Sequence, residues 1–247
     1  MPYCPKCGKE TPEDAVFCPS CGTKLITKQE VATSETIFPS GLVYLFGDLF
    51  APRAKLGGFQ VPCANEKVKH TKLATVMLVA TFLSLSKDDL INVFLGEKRG
   101  FLGRRTIDAY VSVKADFPHK GLGYLKREVY AEIKRNEASL VYDVVRSIIG
   151  SDSYDPWAAI ISRVEDKLVK QGILAKSVKK GRLRTRVKLI PNCQEIAKYR
   201  EAALKLKSTI DGWRLKEPEV YKKLEDRIAS AFNSRQIRET DIGPEYW

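Results

Sequence analysis

Histidine is nearly absent from this chain. There are two in 247 residues, His70 and His119, and neither has a metal-spaced partner. A P-loop, a G-x-S-x-G elbow and a dinucleotide-binding glycine fingerprint are all missing too, so the commonest grounds for expecting an enzyme are gone. Long hydrophobic runs are also lacking: the longest, Leu73–Leu85, covers 13 residues and is too short to span a bilayer. A secretory leader is not expected. Of the six cysteines, Cys63 and Cys193 are isolated and read as small buried or incidental side chains. A cytoplasmic, reducing compartment is the expectation.

The other four cysteines carry a specific pattern. Cys4, Cys7, Cys18 and Cys21 form two C-P-x-C-G knuckles separated by ten residues. Four thiolates so spaced can close on one tetrahedral Zn²⁺ with no open position, which makes a structural site rather than a catalytic one. Gly8 and Gly22 fall where each knuckle must turn tightly. A disulfide pair and a redox C-x-x-C are the alternatives; against the second, no βαβ pattern surrounds these residues. Residues Tyr3–Leu25 resemble short zinc-ribbon modules. The resemblance implies one structural zinc and a small β-rich knob folded by metal ligation, worth on the order of 10–16 kcal/mol in comparable peptides.

Acidic residues are in deficit. The formal net charge is +12, and residues 51–190 alone sum to +13, with 27 basic and 14 acidic side chains. A positive field concentrated in the middle of the chain points to a polyanionic partner.

Residues 26–36 lack periodicity and read as a linker. Residues 37–62 mix short apolar stretches with proline and glycine, as in a short helix or strands and turns. Residues 71–87 predict a helix apolar nearly all round, hence a buried central element. Leu90–Leu95 and Thr106–Lys114 predict a long hairpin with a basic tip. Helical spacing recurs over 122–135 and 139–149. A third helix is bracketed by Asp155 as N-cap, Pro156 at its first position and Gly172 just past its end. A strand, a turn at Lys179-Lys180-Gly181 and a second strand follow to Ile190. Residues 194–210 and 218–232 predict two amphipathic helices around Asp211-Gly212-Trp213, either a packed hairpin or a partner-binding pair. The expected fold is thus α+β and mainly helical. Its parts are a zinc ribbon (1–25), a linker (26–36), a first winged-helix-like unit (37–118), a winged-helix domain (119–191) and C-terminal helices with a tail (192–247).

The strongest functional pattern is Arg182-Leu-Arg184-Thr-Arg186-Val-Lys188. With a side-chain period of two, these four cations share one strand face. Lys176, Lys179 and Lys180 bring the total to seven positive charges and no negative one between Gly172 and Pro191. Like charges so spaced repel, and a phosphate-bearing partner relieves that repulsion; an edge strand protected against aggregation is the plain alternative. Lys98, Arg99, Arg104 and Arg105 flank Phe101-Leu102 in the other hairpin, a tip suited to a nucleic-acid groove or a lipid interface. On the third helix the outward residues are expected to be Arg163, Lys167 and Lys170, with Glu165 and Asp166 beside them. Those two carboxylates argue against groove reading by this helix.

Residues 37–232 also resemble the Golgi phosphoprotein 3 family. The parallels are Val76-Met77-Leu78 before a basic hairpin, Lys114-Ala-Asp-Phe-Pro118 before a helix, Asp155-Pro156 within Ser151–Pro156, and Leu168-Val-Lys-Gln-Gly-Ile-Leu174. The resemblance implies a mostly helical fold and recruitment to phosphoinositide-bearing membranes. It matches Arg163 to a phosphate-holding arginine, while Ile161 and Ala74 stand at two other basic positions of that family.

The leading expectation is a non-enzymatic, zinc-containing protein that binds DNA, RNA or a ribonucleoprotein through its basic hairpins. The alternatives are a peripheral adaptor on anionic or phosphoinositide membranes and a scaffold that meets a protein partner through its C-terminal helices.

Overall fold

A helix buried on every side organises the larger part of the molecule. In the computed structural model it spans His70–Lys87, and its residues from Leu73 to Leu83 are all buried. The Thr75 and Thr81 hydroxyls donate back to the carbonyls of Thr71 (2.9 Å) and Met77 (2.8 Å), so neither enters the core unsatisfied. The structure describes residues 7–10, 20–21, 37–99, 105–116, 124–136, 138–150, 155–180 and 185–240, with backbone alone at residue 99 and over 178–180, 185–187 and 234–240. Two units separate, Met1–Ile37 and Phe38–Trp247. Among the described residues no helix is long and apolar enough to cross a membrane.

The larger unit runs in the order α1 (Pro39–Leu45), α2 (Gly47–Phe50), β1 (Phe59–Gln60), β2 (Lys67–Val68), α3 (His70–Lys87), β3 (Ile91–Arg99), β4 (Arg105–Val113), α4 (Tyr124–Lys134), β5 (Ser139–Leu140), α5 (Val141–Ile149), α6 (Pro156–Lys170), β6 (Leu174–Lys180), β7 (Thr185–Pro191), α7 (Cys193–Ala197), α8 (Arg200–Lys216) and α9 (Pro218–Thr240). It is mixed helix and sheet, with helix dominant. α3 packs against α1, α4, α6 and α9, so one core serves the whole unit. The end of α3 is a Schellman turn in which Asp89, at φ +58°, takes the place usually given to glycine; Leu90 N–H reaches the Leu85 carbonyl at 3.0 Å.

The predicted hairpin forms as β3–β4 in continuous antiparallel register from Ile91↔Val113 to Arg99↔Arg105. α6 starts and stops as its sequence signals require. Asp155 accepts from Trp157 N–H (3.1 Å) and Ala158 N–H (2.9 Å), and Gly172, at φ +74°, follows its end.

Four expectations are corrected. First, the helix expected over 139–149 begins only at Val141, because Ser139 and Leu140 form β5 and pair with β4 (Val111↔Ser139, Tyr110↔Leu140). Secondly, α8 runs straight through Asp211-Gly212-Trp213 and ends at Lys216, because Pro218 opens the next helix. α9 then lays Leu224, Ile228, Ala231 and Phe232 into the core, where Phe232 stacks on Trp157 at 5.8 Å. Its apolar face is therefore already occupied. Thirdly, Glu165 faces inward and accepts the Tyr44 hydroxyl at 3.0 Å.

The fourth correction concerns Cys63 and Cys193. They are neither buried nor incidental: both are exposed and joined in a disulfide, with Cα atoms 5.6 Å apart and a sequence separation of 130. Disulfides persist in oxidising compartments and in intracellular proteins of hyperthermophiles. The cysteine pattern therefore no longer points to a reducing compartment.

Candidate polyanion-binding surface

Hairpin β6–β7 is fixed at its base. Leu174 is buried, Asn192 N–H donates to the Ile173 carbonyl at 3.2 Å, and Lys176 Nζ meets Asp166 of α6 at 2.6 Å. The register sets its two faces. Lys179 stands opposite Arg186, Ser177 opposite Lys188 and Ala175 opposite Ile190, and these six positions share one face of the ladder. Ala175, Lys188 and Ile190 are exposed, so this is the solvent face, whereas Leu174 and Leu189 lie on the other. The register thus sets two basic positions, 179 and 186, directly opposite each other, with Lys188 two positions along. Lys180 falls on the opposite face, across from Thr185. Arg182 and Arg184 lie outside the described residues.

In the β3–β4 hairpin, Arg99 and Arg105 are paired at the last described rung, and Arg105 meets Glu97 at 3.2 Å in an exposed ion pair of small energetic weight. Lys98 is half-buried on β3. Phe101, Leu102 and Arg104 are outside the described residues.

Arg163 is engaged inside the protein. Its Nε lies 3.3 Å from Glu128 Oε2, and its Nη2 donates to the Ile148 carbonyl at 2.7 Å, so it braces α6 against α4 and α5. Burial pushes the Glu128 carboxyl above the ordinary range, opposed by the Arg163 charge and a hydrogen bond from Tyr124. These residues, with Asp166, Lys167 and Lys170, line a cleft of about 330 Å³. Two carboxylates among three cations make it a poor receptor for an anion.

α6 offers no broad face to a groove either. α1, α3 and α4 cover most of it, and only Ala158, Ser162, Asp166 and Lys170 are exposed along its length. Glu165 turns inward to Tyr44, and Asp166 is held by Lys176.

The sequence reading passed over Lys55, Lys67 and Lys69. All three are exposed and form no ion pair among the described residues. Four basic residues in the span 53–69 were the available signal, obscured by the prolines and glycines around them.

In the N-terminal unit, Gly8 has φ +69° directly after Cys7, the left-handed turn a thiolate knuckle needs. Cys7 and Cys21 are exposed, each in a turn. Cys4 and Cys18 lie outside the described residues. An all-cysteine donor set with this turn geometry fits a structural zinc. Residues 3–25 match the family model of the zinc-ribbon domain. No curated protein matches the chain, and neither comparison supports the Golgi phosphoprotein 3 resemblance. The chain thus carries a zinc-ribbon domain at residues 3–25, followed by a helix-rich unit that includes hairpin β6–β7.

Proposed function

We propose that this is a non-enzymatic protein that binds nucleic acid or a ribonucleoprotein by gripping phosphates with hairpin β6–β7. The single observation that carries the reading is the register of β6–β7, which sets position 179 against 186 and Ser177 against exposed Lys188, with no carboxylate among the paired positions. Arg182 and Arg184 extend the same alternation toward the tip by sequence. Such a comb neutralises backbone phosphates without reading bases, so binding should be strongly salt-dependent and weakly sequence-dependent.

Cys4, Cys7, Cys18 and Cys21 would hold one zinc ion that folds the ribbon and takes no part in chemistry. A nucleic-acid partner would put the protein inside the cell; a persistent Cys63–Cys193 bond there has precedent in hyperthermophiles.

The test is a salt series with purified protein against duplex DNA, RNA and anionic liposomes. If the hairpin engages about five duplex phosphates, its share of the log–log salt slope is about −4.5. Replacing Arg182, Arg184 and Arg186 by Gln should flatten the slope by roughly 2–3. An unchanged slope removes the hairpin from the contact. Retention by anionic liposomes but not by nucleic acid would favour a membrane adaptor, and retention by neither would favour a protein scaffold.

A further inference from the structure

The segment that carries Cys63 is itself basic and rigidly mounted. Val61 and Val68 are buried, and they press so closely on Gly47 of α2 that an added Cβ there would lie 3.3 Å from each. The Gln60 side-chain amide closes the connecting turn, donating to the carbonyls of Ala64 (2.7 Å) and Glu66 (3.0 Å). Cys63 occupies that turn at φ +58°, an unusual conformation for a residue with a side chain. Glu66, the segment's one acid, is taken up by Arg53, whose Nε lies 3.1 Å from Oε2. Lys55, Lys67 and Lys69 stay exposed, with no ion pair among the described residues.

This platform is bonded to the foot of the basic hairpin. Cys193 is the second residue after β7 ends at Pro191. From Lys67 to Cys63, across the bond to Cys193 and back to Lys188, the Cα path is at most about 38 Å even with both segments fully extended. That is about one turn of duplex. Two segments of the same charge would separate if electrostatics alone governed them. A covalent bond prevents it.

We infer that the β1–β2 segment is the second arm of the phosphate-binding surface: Lys55, Lys67 and Lys69 contact the same nucleic acid as hairpin β6–β7, and the Cys63–Cys193 bond holds the arms together. The inference rests on the proposed function and adds to it a second set of contacts. With about eight phosphates engaged in all, the full slope on duplex DNA is about −7.

The experiment uses the full-length protein and a mixed-sequence DNA duplex of about 20 base pairs, with three triple variants. The first replaces Lys55, Lys67 and Lys69 by Gln, and the second replaces Arg182, Arg184 and Arg186 by Gln. The third, a control for net charge, replaces exposed Lys87, Lys216 and Lys222 by Gln. Thermal melts check that all three fold. The first variant should flatten the slope by about 2–3, as the second does, and the control by less than about 1. If the first variant moves the slope no more than the control while the second flattens it, the second arm does not exist. Flattening by the first alone also overturns the two-armed site, because one arm is then idle. If neither flattens it, the proposed function itself has failed.

Discussion

The guanidinium of Arg227 on α9 reaches the carboxylate of Asp108 on β4, Nε to Oδ1 at 2.6 Å, across 119 positions of sequence. Asp108 is 2% exposed, and the same oxygen also accepts Ala109 N–H at 2.8 Å. A carboxylate this deep is tolerable only while paired. Arg227→Met should therefore destabilise the protein by about 3 kcal/mol in urea unfolding. Asp108→Asn in the same background should restore much of that loss, since the uncompensated charge is gone. A double-mutant coupling below about 0.5 kcal/mol would mean the pair is incidental.

Glu165 offers a pH test. Burial raises its pKa most, with the neighbouring Asp166 charge adding to the rise; the Tyr44 hydrogen bond and Lys176 oppose it. Because the folded value is the higher one, the folded state holds the proton more tightly. Its favourable contribution is complete below the ordinary carboxylate pKa and disappears as pH rises through the raised folded value. Glu165→Gln keeps an oxygen for Tyr44 and removes the buried charge. The variant should be more stable than the parent at pH 7, by up to about 1 kcal/mol, and no more stable near pH 4. Thermal melts across this range decide it; an equal gain at both ends would exclude titration as the cause.

Arg163 separates a structural cation from a binding one. Its donors already serve Ile148 and Glu128. Arg163→Met should lower stability by about 1–3 kcal/mol, since it leaves a buried acceptor and carboxylate unmet. It should leave the nucleic-acid salt slope within about 1 of the parent. A flattening as large as the hairpin variant's would place Arg163 in the footprint after all.

What could be read from the sequence was local. Asp155, Pro156 and Gly172 delimit α6 because capping depends on neighbouring backbone groups. The uniform apolarity of residues 73–85 marked α3 as central for the same kind of reason. β5 was hidden, because two residues carry too little pattern to be told from the start of the helix that follows. The break between α8 and α9 was displaced because Gly212, though unfavourable in a helix by roughly 1 kcal/mol, is outweighed by flanking turns; Pro218 cannot be so overridden. The alternation of basic residues over 182–188 was plain in the sequence, and the described register takes in its part from Thr185 onward. The link between Cys63 and Cys193 was not, since they meet only once the whole unit has folded around α3.

That meeting sets the last expectation. A cross-link between residues 130 positions apart restricts the unfolded chain strongly. The chain-entropy account gives an upper limit of about 5 kcal/mol. For a unit of this size that corresponds to a fall in Tm of about 10–20 °C on reduction. Replacing Cys63 and Cys193 together by Ser should reproduce the fall and make the melt insensitive to dithiothreitol. Alkylation of unfolded, chelator-treated protein should find two more thiols after reduction than before it. A single Cys63→Ser variant should melt with the double one, because either serine abolishes the same bond. If instead the parent and the double variant melt together, the unfolded state gains nothing from the missing tether. The contacts of Val61, Val68 and Gln60 would then be sufficient to hold the β1–β2 segment in place.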